Sequence, residues 1–297
     1  CGGEHVFSYR AMGPTGSFVC TWMIILGYVA TSAFEATALP TVITYLFPDF
    51  NQVYLYSIAG KDIYLTTIIL GVGVAILITI INIKGAKTAA ILQTVLTAII
   101  AIAGILLVVG SAVNGDASNI TGQMWESGAG NTLGSVFKVA CMTPFLFIGF
   151  DVIPQAAEEI NVPLKKIGKM MILSVVLAVV FYALVILAVG YILNPAEIIE
   201  SQQGTGLVTA DAMAKAFGTK IMAKVIIVGG MCGIITSWNS FLLGGSRAMY
   251  SMAESYMIPP FFAKLHPKHK TPVNSLYLIG ALTMLAPFAG RTMMVWI

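Results

Sequence analysis

The chain has 297 residues, 58% hydrophobic and only 10% charged, with a net charge of +3 and a mean hydropathy of +0.88. Soluble domains carry about a quarter charged residues, so the composition excludes a water-soluble globular protein and defines an integral membrane one. The small net charge gives no support to nucleic-acid binding, and Cys1, Cys20, Cys141 and Cys232 lack the spacing of a metal site or a disulfide framework. Opening on Cys1 and stopping at Ile297 inside an apolar run, the sequence reads as part of a longer protein.

Seven apolar segments approach the roughly 20 residues that a helix needs to cross a bilayer. They cover 17–46, 64–83, 89–109, 133–157, 170–193, 221–243 and a truncated 276–288, and together form one transmembrane domain over 1–297. They are too long and too continuously apolar for barrel strands, so the expected fold is all-α and polytopic. Alternate connections hold Arg10; Lys84 and Lys87; Lys165, Lys166 and Lys169; and Arg247, Lys264, Lys268 and Lys270. The intervening ones hold mostly acids, among them Asp49, Asp62, Asp116, Glu126, Glu197, Glu200 and Asp211. The positive-inside rule puts the Arg10, Lys84, Lys165 and Arg247 loops in the cytoplasm, with a plasma or inner membrane as the expected location.

In the first segment Glu35 lies five residues before Pro40, either as a functional carboxylate or with a structural or interfacial role. In the third, Gln93, Thr94 and Thr97 share a helix face and are expected to hydrogen-bond between helices. The fourth is the most unusual. Pro144 and Pro154 each remove a backbone donor, Gly149 between them frees the backbone, and Asp151 places a carboxylate in this weakened stretch. A broken helix beside an acid at membrane depth lines a cavity or an ion path. Gln155 and Glu158 follow at i+4 and i+7, giving a polar face that forms an exit path, whereas Glu159 is expected to pair with Lys165 or Lys166. In the segment at 221–243, Gly233, Ser237, Ser240 and Gly244 form a small-residue stripe with Thr236 beside it. That stripe serves close helix packing or supplies hydroxyls to a cation. The histidines, His5, His266 and His269, fall in predicted connecting loops and make no metal site.

Three separated stretches carry a family resemblance. They are Gly2-Gly3-Glu4-His5-Val6-Phe7 with Tyr9-Arg10-Ala11 and Gly13; Phe147-Ile148-Gly149-Phe150-Asp151 with Ala157-Glu158-Glu159 and Pro163; and Ser246-Arg247, Tyr250, Met252-Ala253, Ile258-Pro259, Phe262-Ala263 and Thr271-Pro272. In this order they resemble the amino acid–polyamine–organocation (APC) transporters, matching the loop before the third helix, the sixth helix with its following loop, and the segment after the eighth. The resemblance implies part of a five-plus-five inverted-repeat fold, from about the third helix to the ninth, with a discontinuous sixth helix.

By that resemblance the chain is no enzyme. It is a secondary active transporter, by symport or exchange, of an amino acid or related amine, working by alternating access; an ion channel or a carrier of a polyamine or other organic cation is the alternative. Phe145, Ile148, Gly149 and Phe150 are implied to contact substrate, with Phe145 as the gating aromatic, and Asp151 to carry the coupling proton. No cofactor is implied. The sequence has Val162-Pro163, Lys165 and Ile167-Gly168 where the family usually has Asn-Pro, an arginine and Ile-Pro. It has no lysine between Lys87 and Lys138, where some proton-coupled members carry one. That absence puts lysine-based coupling in doubt; a proton through Asp151 is the expected coupling ion, with sodium near Thr236, Ser237 and Ser240 left open.

Overall fold

The computed structural model describes residues 2–120, 129–159 and 163–295, with the side chains of 129–131, 142, 144–146, 158, 164, 165 and 292–295 outside the description. The chain begins with α1 (Gly3–Leu46), which is two helical arms rather than one: Gly13 has φ 74 and ψ −172. Glycine tolerates that φ, and Pro14 forces the residue before it out of helical geometry. The reversal brings His5 within hydrogen-bond distance of Ser17 and Thr21, residues that a continuous helix would hold some 18–24 Å away. The stretch 3–12, expected as a loop, is thus helical.

A two-stranded antiparallel hairpin follows, β1 (Tyr54–Ile58) and β2 (Lys61–Tyr64), paired with Ser57 opposite Asp62 and Ile58 opposite Lys61. Its two-residue loop, Ala59-Gly60, has positive φ at both positions (49 and 74), the conformation that matches strand twist in tight hairpins. Then come α2 (Leu65–Ile83), α3 (Ala86–Asn114) and α4 (Ala129–Leu146). The short α5 (Val152–Gln155) and a 3-10 turn at Ala157–Glu159 precede α6 (Leu164–Ile192). The remainder is α7 (Pro195–Gln203), α8 (Val208–Phe217), α9 (Lys220–Glu254) and α10 (Val273–Val295), the last broken at Gly290 (φ 75, ψ 162).

Among the described residues, six helices are long and apolar enough to cross a membrane: α1, α2, α3, α6, α9 and α10. The segment predicted over 133–157 has several side chains outside the described residues; its backbone is helical over Ala129–Leu146 and again over Val152–Gln155. On α6, Ile172, Leu173, Leu177 and Ile186 are all more than half exposed, as expected for a helix whose solvent is lipid.

The chain forms two compact units. The first comprises 1–97, 151–171 and 231–297. Its core gathers Ala33 and Ala36 of α1, Ala75 and Ile78 of α2, Trp238 and Leu242 of α9, and Leu276 and Ile279 of α10. The second comprises 98–150 and 172–230. Its core packs Leu107, Ala188, Ile192, Ala212, Met213 and Ala216. There Asn194 caps α7 reciprocally with Glu197, and Gly218 ends α8 in the left-handed conformation. The chain passes from the second unit to the first between Phe150 and Asp151.

Candidate functional site

The break in the helix lies at residues 147–151. Helix α4 continues through Pro144 to Leu146, and Pro154 sits in the first turn of α5, where its missing N–H has no intrahelical partner to lose. Neither proline therefore makes the break. Gly149 does, with φ 123, a value L side chains rarely adopt. Ile148 and Phe150 are exposed on the turn, and Phe147 packs edge-on against Tyr182 with centroids 5.4 Å apart. Phe145 lies in α4, but its side chain is outside the described residues.

Beyond the break, three side chains at four-residue intervals are each held by the first unit. Tyr28 Oη donates to Asp151 Oδ2. Gln155, fully buried, donates through Nε2 to Glu4 Oε2. Arg247 grips Glu159 with both carboxylate oxygens engaged, Nε to Oε1 at 2.7 Å and Nη2 to Oε2 at 3.0 Å. Glu159 therefore pairs with Arg247, while the side chain of Lys165, one of its two expected partners, lies outside the described residues. Arg247 lies within the long helix α9 and is 1% exposed, so a guanidinium there needs a carboxylate within reach. The side chain of Glu158 is outside the described residues.

Close backbone approach reinforces these contacts. A Cβ on Gly3 would lie 3.1 Å from Pro154 and 3.2 Å from the backbone of Gln155. One on Gly244 would lie 2.9 Å from Val152 and 3.1 Å from Tyr28. Val152, Tyr28 and Phe241 accordingly form one small apolar cluster. Gln155 Oε1 is buried without a hydrogen-bond partner. The amide is oriented by Glu4, since reversing it would set an oxygen against a carboxylate oxygen.

Thr236, Ser237 and Ser240 are not brought to Asp151 but engage other protein groups. Thr236 Oγ1 donates to the carbonyl of Gly233 at 2.8 Å and Ser240 Oγ accepts from Gln93 Nε2 at 3.1 Å, while Ser237 lies close enough to the Glu35 carboxylate to act on it. Glu35, buried, thus has a polar partner within the protein, and Arg291 is close enough to act on it electrostatically. Gln93 does bond between helices, to both Asn239 and Ser240. Thr94 instead donates to its own helix at Ala90 and is exposed. A buried amide chain continues from there, with Asn82 Nδ2 donating to Asn239 Oδ1 at 2.9 Å and Asn239 Nδ2 to Gln93 Oε1 at 3.0 Å.

His5 is likewise not in a loop. It is buried, with Nδ1 3.0 Å from Ser17 Oγ and Nε2 2.9 Å from Ser255 Oγ, which ties the start of α1 to the end of α9. His266 and His269 do lie in a connection, where His266 Nδ1 accepts from the backbone N–H groups of Lys268 and His269.

Sequence reasoning missed Tyr28, Glu4 and Arg247 as partners of the broken segment. The one available signal was the Gly244-Gly245 pair, which is needed where Tyr28 lies against α9.

These features define a polytopic α-helical membrane protein with a helix interrupted beside a carboxylate. The chain belongs to the amino acid permease family: the family model of that description matches residues 1–294, placing it in the APC superfamily. It is similar to the branched-chain amino acid permease BcaP of Bacillus subtilis, 30% identical over 161 residues that cover 54% of this chain and 34% of that protein. It is also similar to the methylthioribose transporter of the same organism, 25% identical over 94% of this chain and 59% of that one. With the cationic amino acid transporter 5 of Arabidopsis thaliana it shares 26% identity over 97% of this chain and 48% of the relative. The chain spans between a quarter and three fifths of the length of the curated relatives it matches.

Proposed function

We propose that the chain forms part of a secondary active transporter that carries an amino acid or related amine by alternating access and couples it to protons through Asp151. The observation that carries this reading is the positive φ of Gly149 in the turn after α4, two residues before a carboxylate held by Tyr28. A helix opened at membrane depth presents backbone carbonyls to an ammonium and amides to a carboxylate, the two ends of an amino acid. The backbone around Phe145, Ile148 and Gly149 takes those groups, and Phe150 covers the side chain. The names of the relatives, which speak of branched-chain and cationic amino acids and of methylthioribose, support small polar substrates rather than one particular amino acid.

In this proposal the Arg10, Lys84, Lys165 and Arg247 segments face the cytoplasm. Gln155 and Glu158 then line the route inward, which the contacts to Glu4 and Arg247 hold shut. Release to the cytoplasm requires the 151–159 segment to leave α1 and α9. The small-residue character of this stripe supports a packing role for Thr236, Ser237 and Ser240, with Ser240 bonded to Gln93 of the neighbouring helix.

The test is uptake of radiolabelled L-leucine, L-arginine and putrescine by proteoliposomes holding the whole protein. Wild type accumulates at least one amino acid under an inward proton gradient, and Gly149→Leu, which cannot hold φ 123, does not. Native uptake by Gly149→Leu, or uptake of putrescine alone, contradicts the reading.

A further inference from the structure

Within the first unit a cavity of about 370 Å³ opens between the far end of α1, the β-hairpin and the end of α10. Its size falls within the range of small-molecule sites, about 300–1,000 Å³. Its walls include Thr37, Thr41, Thr44 and Thr67, with Asp62, Lys61 and Arg291 also lining it. Nothing in the transport site described above uses these groups.

The threonines share one property. Thr37 Oγ1 donates to the carbonyl of Phe34, Thr41 to Thr37, Thr44 to Thr41 and Thr67 to Tyr64, at 2.6–3.0 Å. A hydroxyl has one proton and two lone pairs, so each of these has spent its donor on its own helix and keeps an acceptor. The threonine wall therefore asks for a donor. Asp62 adds a carboxylate, one oxygen of which accepts from Ser57. Arg291 and Lys61 have the opposite need. The Arg291 guanidinium lies over the Phe34 ring, 5.5 Å from its centroid, and acts on Glu35 as well; it carries five N–H donors, more than one carboxylate accepts from.

We propose that this cavity is a second amino-acid site, where the threonine oxygens and Asp62 take the ammonium of a free amino acid and Arg291 and Lys61 take its carboxylate. The inference rests on the transporter reading and its orientation, by which the cavity faces outward and receives substrate before it reaches the broken helix. A ligand with only one of the two charges satisfies only one wall.

Thr41→Cys, in the whole protein with its native cysteines, Cys1, Cys20, Cys141 and Cys232 among them, replaced by serine, tests this by reaction with a membrane-impermeant methanethiosulfonate in intact cells. L-leucine or L-arginine slows labelling about threefold at a concentration near twice its dissociation constant, as mass action requires. Isoamylamine and 4-methylpentanoate, each lacking one charge, protect less, and Arg291→Gln removes the protection by the amino acids. The protection survives in Gly149→Leu, which disables the broken-helix site, so failure here is distinguishable from failure of the transport reading. Absence of labelling, labelling that neither amino acid slows, equal protection by isoamylamine, or protection lost with Gly149→Leu overturns the second site.

Discussion

Arg247, in the interior of α9, holds both carboxylate oxygens of Glu159 at 2.7 and 3.0 Å while its own side chain is 2% exposed and that of Glu159 is 27% exposed. This asymmetry dictates how the pair responds to mutation. Glu159→Ala leaves a buried guanidinium without its counter-charge and should cost about 3 kcal/mol, whereas Arg247→Met leaves only a partly solvated carboxylate and should cost less. Thermal-unfolding midpoints of the two purified variants check the order, which a mere surface ion pair would not produce.

Tyr28 and Asp151 are 123 residues apart in sequence and joined by one hydrogen bond. Tyr28→Phe keeps the ring but removes the donor, and a hydrogen bond to a charged group is worth about 1.5–3 kcal/mol. Amino-acid uptake by Tyr28→Phe proteoliposomes should therefore fall by about tenfold at equal incorporation. Native uptake would give Tyr28 a packing role instead.

Asn239 is the centre of the buried amide chain, accepting from Asn82 and donating to Gln93. Asn239→Ala leaves a buried donor and an acceptor unmatched, at about 1–3 kcal/mol for each group. Gln93→Leu removes a half-buried end of the chain and should destabilise less. Paired melting curves of the two variants decide the ranking.

In the second unit, Lys215 Nζ donates to Glu197 Oε1 at 2.5 Å, and the N–H of Asn194 donates to the same carboxylate. These bonds hold the Glu197 carboxyl below its usual value, Lys215 making the larger contribution. A depressed acid adds stability that is present above its unfolded value, about 4.3, and is lost as pH falls through the folded one. Hydrogen-exchange protection of α7, corrected for the intrinsic pH dependence of amide exchange, should therefore fall on acidification in the wild type. In Glu197→Gln it should already be lower at neutral pH and change little with acid.

The spans were legible because uninterrupted hydropathy survives any tertiary arrangement, and the break at Gly149 was legible because glycine beside an acid is costly in lipid. Other features were hidden for definite reasons. Gly2-Gly3 and Gly13-Pro14 read as turn residues, so the helical arm between them passed for a loop. The hairpin left only a faint trace, the Tyr, Leu and Ile residues around Ala59-Gly60, because strands of five and four residues carry too little alternation to stand out. Arg247 read as a loop base because α9 extends to Glu254, past the apolar stretch that marks the span. Tyr28, Glu4 and Arg247 meet the 151–159 segment only after folding, and no spacing along the chain announces such partners.

The central claim is that Asp151 carries the proton whose movement drives transport. Its most direct measurement is uptake against external pH by proteoliposomes of the whole protein, comparing wild type with Asp151→Asn at equal incorporation. Wild-type uptake should rise with the inward proton gradient, while Asp151→Asn should lose that dependence without losing expression. An Asp151→Asn protein with unchanged uptake and unchanged pH dependence would contradict the account.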